Sequence, residues 1–341
     1  MCNPPPCKEF KTFEEQADKL IARGLIANRD ELITRLRAVN YYRFTGYIYI
    51  FRPILSISGT GQKVRRETYK DGTSLQLVWN YYLFDRRLRL LIIDAIERIE
   101  ITLRTNIAHY WSGMTGMPNP QKNLRHYKPK FTEEERVRLL ARFQKSFDRS
   151  TDDCVIHHKE DLHFRNVEDL PIWVFCELST LGDLVWLFNG LTDPIKKQIS
   201  SDFGIDDVPF FSSILGLICI ARNACAHHAR IWNRAWNTCR ERESNRKNII
   251  PVVRDTKLSD WLTRWYNTSQ SWQHKKNKNH SFSRTSTAFL LTACHFLLKT
   301  SANTSNWRNR FLDLLRHPDT PNTVVQEMRF PEHWQEHPLW Q

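Results

Sequence analysis

Apolar residues recur every three or four positions along most of this chain, the spacing that lays one stripe down an α-helix. Phe13, Ala17, Leu20 and Ile21 predict a first helix stopped by Gly24, and Leu32, Ile33, Leu36 and Val39 predict a second. From Leu75 to Trp111 no proline or glycine interrupts the run of Leu88, Leu91, Ile92, Ile96, Ile99, Leu103 and Ile107, so one long helix is expected. Residues 131–148 predict another, opened by a capping box of Thr132 and Glu135. Two helical pieces flank Gly182, the first beginning after Pro171, and a further helix covers about 209–230. Beyond residue 250 the pattern is helical over Asp260–Tyr266, Thr287–Lys299 and Trp307–Leu315. The whole predicts an all-α fold. Its expected parts are an N-terminal helical region, 1–58, with a tyrosine-rich segment Asn40–Arg52; an exposed basic loop, 59–74; a helical core, 75–240; and a basic helical region, 241–341.

Composition narrows the classes. Eleven glycines in 341 residues is about half the usual share of roughly 7%, and glycine-rich phosphate loops are missing. Gly59, Gly61 and Lys63 do not make one, which disfavours Rossmann and P-loop chemistry. The longest apolar run, near Ile214–Ala221, is far short of the ~20 residues of a membrane span, and the first residues lack the apolar core of a signal peptide. Cys2, Cys7, Cys154, Cys176, Cys219, Cys225, Cys239 and Cys294 are scattered, several in apolar helical text. They read as buried free thiols in a reducing cytoplasm. Fifty Lys and Arg against 37 Asp and Glu leave a net charge of +13, which favours a polyanionic partner, most simply nucleic acid.

The sharpest local chemistry lies in residues 218–234, ICIARNACAHHARIWNR. Arg222, Asn223 and His227 spell R-N-x-x-x-H on an otherwise apolar helix. Unpaired burial of such groups costs on the order of 1–3 kcal/mol each, so they need a purpose. Asn223 and His227 are four apart and share a face; Arg222 and His227 are five apart, about 140° around the helix. Arg104 and His109 repeat the five-residue spacing in the long helix, although Glu100, one turn before Arg104, offers a plain i,i+4 ion pair.

Other clusters have plainer readings. Cys154, His157, His158 and His163 fit no common zinc spacing and read as a polar exposed segment. Cys225 is a small core filler. Asp85 and Glu97, with Arg86, Arg89 and Arg98 nearby, read as structural ion pairs, not as a two-metal nuclease. Tyr41, Tyr42, Tyr47 and Tyr49, interleaved with Arg43 and Arg52, either stack bases or pack a core face. Phosphate contacts fall best to the Arg230–Lys247 stretch and the loop carrying Lys275 and Lys276.

From about Phe10 to Arg234 the chain resembles the Abi-like (abortive infection, AbiD/AbiF-type) family. The segments FEEQADKLIARGL, NYYRFTGYIYIF, YLFDRRLRLLIIDAIERIEITLRTNIA, PIWVFCELSTLGDLVWLF and above all ARNACAHHARIWNR carry the likeness. The resemblance implies a HEPN-type helical bundle within 75–240, acting in anti-phage defence as a metal-independent endoribonuclease without cofactor. It further implies a toxin restrained by a small structured non-coding RNA. Arg222, Asn223 and His227 would be catalytic. Arg104 and His109 would join them, bind RNA, or be structural; Thr105 stands where the second copy has Asn223. His228, Arg230, Arg234, Arg43, Lys275 and Lys276 are the expected RNA contacts. A cytoplasmic protein, forming a homodimer if the first motif is structural and the site needs two chains, completes the expectation. The alternatives are a non-catalytic module that holds a structured RNA and a HEPN protein that serves protein–protein association.

Overall fold

Helices in this chain begin where side-chain oxygens meet the free amides of a first turn. The computed structural model describes residues 9–57, 63–236, 286–300, 306–330, 332–336 and 340. Thr12 and Glu15 exchange hydrogen bonds across the first turn of α1 (Phe13–Ala22), as do the predicted Thr132 and Glu135 at a later helix. Among the described residues the elements are helices, apart from one two-stranded antiparallel ribbon, so the fold is all-α as expected. Two compact units divide the chain: residues 1–88 with 313–324, and 89–312 with 325–341.

The first unit holds α1, α2 (Arg29–Val39), α3 (Tyr41–Ile48), the ribbon of β1 (Ile54–Ile57) and β2 (Lys63–Arg65), and the start of α4 (Leu75–Thr115). Gly24 leaves α1 at a φ of +97°, the left-handed exit that its missing Cβ permits. Leu20, Leu36, Phe44, Tyr47, Val78 and Phe84 are buried. Asp85, also buried, accepts the Tyr47 hydroxyl proton at 2.7 Å, so it serves this core. The tyrosine-rich segment therefore splits: Tyr47 is core, whereas Tyr42 is 87% exposed. The stretch expected to be a loop contains β2, paired to β1 from Ile54↔Arg65 to Ile57↔Lys63. Seven strand residues, four and three, are too few for alternation to announce a strand.

The second unit holds the rest of α4, then α5 (Glu133–Arg149), α6 (Asp153–Glu160), α7 (Ile172–Glu177), α8 (Leu181–Gly190), α9 (Asp193–Asp202), α10 (Val208–Ala226), α11 (Thr287–Thr300), most of α12 (Trp307–Arg316), and α13 (Val324–Glu327). α10 is the central rod, buried along Phe211, Ile214, Leu215, Ile218 and Ala221 and packed against α8, α9 and α11. It is long and apolar enough to cross a membrane, but 61% of it is buried inside the protein. α8 ends on Gly190, where a Cβ would stand 2.9 Å from the Phe131 ring. α11 is apolar and buried through Phe289, Leu290, Leu291 and Leu297. Cys176, Cys219, Cys225 and Cys294 are buried free thiols as expected, and Cys154 is exposed; Cys2, Cys7, Cys239 and the predicted helix Asp260–Tyr266 lie outside the described residues.

Candidate functional site

The end of α10 is where its apolar stripe yields to polar chemistry. The helix stops at Ala226, four residues earlier than the hydrophobic pattern predicts, and His227 is its C-cap, with φ −87° and ψ 14°. The His227 amide still donates to the Asn223 carbonyl at 3.0 Å. His228 then turns left-handed at φ 56°, and the Ala229 amide reaches back to the Ala224 carbonyl at 2.8 Å. Such a terminus normally falls to glycine, so it carries no local sequence signal here. Distant groups hold it instead. Arg89 donates to the Ala229 carbonyl at 3.1 Å, the Thr287 hydroxyl to the Ile231 carbonyl at 2.7 Å, and the buried Trp232 indole to Glu327 at 2.7 Å.

This early stop sets out the candidate side chains. Asn223, His227 and His228 are exposed and Arg222 is half-buried, while Cys225, on the inward side, is buried. An Arg222 Nη1 proton goes to the Asn223 carboxamide oxygen at 3.3 Å, which ties the guanidinium to the exposed face. None of the R-N-x-x-x-H residues is sealed in the core.

Arg104 is placed differently. Its Nη2 donates to Glu100 at 3.0 Å and to the Ser179 carbonyl at 2.9 Å, and its Nη1 to Glu177 at 3.2 Å. The side chain is 16% exposed, and its Nε is buried without a partner. Arg104 thus braces α4 against the α7–α8 turn. His109, five residues on, is exposed and meets the Tyr110 ring edge-on; Tyr110 in turn donates to Asp202 at 2.5 Å. Thr105 is exposed and spends its hydroxyl on the Ile101 carbonyl.

Glu100 joins the two motifs electrostatically. Burial pushes its carboxyl above the ordinary value, opposed by the positive charges of Arg104 and Arg222, with Glu97 and Glu177 adding to the rise. The Cys219 thiol, on α10, is also raised by burial, and it feels Arg222, Glu100 and Asp183. Arg104 and Arg222 therefore share one carboxylate neighbourhood. Glu177 was invisible to sequence reasoning, because 73 residues separate it from Arg104; Arg89 was read only as an ion-pair neighbour of Asp85 and Glu97, and its bond to Ala229, 140 residues away, was not foreseen.

The expected RNA contacts fall in both units. Arg230 lies over the Trp232 ring at 5.2 Å and Arg234 over Trp236 at 5.1 Å, both half-buried. Arg43 is half-buried on α3 in the first unit. Lys275 and Lys276 lie outside the described residues. His157 pairs with Asp161 at 2.6 Å, and among the described residues no group of three His, Cys, Asp or Glu is placed to hold a metal ion.

Comparison with known families gives one match. The profile described as Abi-like protein matches residues 34–233. The chain belongs to the Abi-like protein family, and that membership points to abortive infection, a form of phage defence, as its functional class. Neither the comparison with curated proteins nor that with solved structures gives a match.

Proposed function

We propose that the chain is a HEPN-type, metal-independent endoribonuclease of abortive infection, with Arg222, Asn223 and His227 as its working residues and a structured non-coding RNA as its restraint. One observation carries this reading: an imidazole, a carboxamide and a guanidinium gather at the accessible end of an otherwise buried helix. His227 takes the proton of a ribose 2′-OH, the 2′-oxygen attacks the adjoining phosphorus, and the 5′-oxygen leaves with a proton returned by the same imidazole. Arg222 holds the non-bridging oxygens through paired N–H donors, and Asn223 orients the guanidinium it already contacts. The products are a 2′,3′-cyclic phosphate and a 5′-OH, and DNA, without the 2′-OH, is not cut. Arg104 enters as a structural brace, since its Nη atoms donate to two carboxylates and a carbonyl.

The test is cleavage of single-stranded and structured RNA by the purified chain in EDTA. Wild type is expected to cut, and Arg222→Ala and His227→Ala are expected not to. Tight RNA binding without cutting under any condition leaves a binding module and ends the enzymatic reading. RNA-free purification and no affinity for RNA end both.

A further inference from the structure

The second unit carries charge that the candidate site does not use. On α5, Arg138, Arg142, Lys145 and Arg149 stand at i, i+4, i+7 and i+11, one stripe of the helix. Leu139, Phe143 and Phe147 form the buried face of α5, and all four cations stand outside it, exposed. The acids of the helix lie elsewhere: Glu133, Glu134 and Glu135 in its first turn, and Asp148 on the neighbouring stripe, where it accepts from Gln144. Successive cations are three or four residues apart, the spacing at which like charges repel on a helix surface. Along the axis they are separated by about 6, 4.5 and 6 Å.

Carboxylates of the protein answer these charges only in part. Arg138 has Glu134 at 3.9 Å, with side chains 56% and 85% exposed, where such a pair contributes little. Among the described residues Lys145 and Arg149 have no acidic partner. Arg142 is anchored. Its Nε donates to the buried Asp183 at 2.6 Å, and its Nη2 stands 2.6 Å from the same oxygen. The other Asp183 oxygen takes the Thr180 amide and hydroxyl protons at the start of α8. That turn borders the candidate site. A Cβ on Gly182 would stand 3.7 Å from the Cys219 Sγ, and Cys219 precedes Arg222 by about one turn of α10. Arg104 donates to the Ser179 carbonyl of the same turn. The stripe therefore meets, at Arg142, the segment that packs against α10 just before Arg222.

A row of cations about 16.5 Å long fits a partner that carries negative charge at short, regular intervals. One strand of stacked nucleotides repeats its phosphates every ~3.4 Å of axis, so the row faces about five of them. A lipid surface fits less well, because Leu139, Phe143 and Phe147, the side chains that would enter a bilayer, are buried in the core.

We propose that Arg138, Arg142, Lys145 and Arg149 form a track for the phosphate backbone of RNA, leading the strand past the α7–α8 turn to Arg222 and His227. The strand's destination rests on the nuclease reading; the phosphate contacts themselves need no cleavage chemistry. Phosphates carry no base identity, so the track holds a strand of any sequence.

Two measurements on the full chain test the track apart from the chemistry. Fluorescence anisotropy uses oligodeoxythymidylate, which has the phosphates but no 2′-OH; single-turnover cleavage uses oligouridylate. Wild type is expected to bind the first, more weakly as salt rises. Lys145→Gln together with Arg149→Gln is expected to weaken that binding about tenfold and to flatten the salt slope by about 1.5, with Tm unchanged. In cleavage the same double variant should raise the half-saturating concentration about tenfold and leave the limiting rate within about twofold. Lys130→Gln together with Lys197→Gln removes equal charge from exposed positions off the stripe and is expected to change neither. Unchanged affinity in the Lys145 and Arg149 variant overturns the track, as does an equal loss in the Lys130 and Lys197 control. Tighter binding to phosphatidylglycerol vesicles than to the oligonucleotide, lost in the same double variant, overturns it in favour of a lipid contact. A chain that binds through the stripe yet never cuts keeps the phosphate contacts and ends the nuclease reading; one that cuts with stripe-independent affinity does the reverse.

Discussion

The segments Arg104–His109 and Arg222–His227 share a spacing and little else. In the first, the chain stays helical past the histidine, so the arginine and imidazole point to different sides of α4, and three acceptors from the α4 and α7–α8 regions take the arginine's Nη protons. In the second, the helix ends one residue before the histidine, and the arginine donates to its neighbour Asn223. A five-residue interval in a helix is thus chemically neutral. Whether an Arg–His pair faces solvent as a unit depends on where the helix stops and on whether carboxylates have already claimed the guanidinium.

This contrast is open to direct attack. His227→Ala and Arg222→Ala should each lower RNA cleavage by about a hundredfold or more, measured under single-turnover conditions. An equal loss in His109→Ala would break the distinction, because both segments would then serve one site. Arg104→Met leaves Glu100 buried without its nearest cation and should cost about 2–3 kcal/mol of stability, read by urea denaturation; His109→Ala should cost less than about 0.5 kcal/mol. A smaller effect is expected from Glu100→Gln. Burial lifts the Glu100 carboxyl above its ordinary 4.5, so the folded chain holds that proton more tightly than the unfolded one. The stability this contributes is complete below pH 4.5 and is lost as pH rises through the raised value. The Tm of wild type minus that of Glu100→Gln should therefore fall as pH rises from the acid side and then level off; a rising difference would mean that the arginines dominate. Thr105→Asn, which copies the second motif into the first, should change stability by no more than about 0.5 kcal/mol and cleavage by less than about twofold.

Much of the architecture was legible because its causes are local. Thr12 with Glu15 and Thr132 with Glu135 start helices through neighbours three residues away, and Gly24 ends one by its own conformational freedom. The uninterrupted apolar repeat of α4 had a single helical solution, which the structure extends to Thr115. The candidate site was legible as residue types, since an apolar helix has no internal use for Arg222, Asn223 and His227. The ribbon at Ile54–Arg65 was not, because its seven strand residues are too short a pattern.

Residue order alone determined that this is a basic, helical member of the Abi-like family with a polar cluster on an apolar rod. Tertiary structure decided which copy of the repeated spacing is presented to solvent. The end of α10 is imposed by Arg89, Thr287 and the burial of Trp232, and the fate of Arg104 by Glu177 and the Ser179 carbonyl. These partners lie tens to more than a hundred residues away. A short-range pattern specifies periodicity and caps, but a left-handed turn at a histidine or a claimed guanidinium becomes favourable only once distant groups are packed against it.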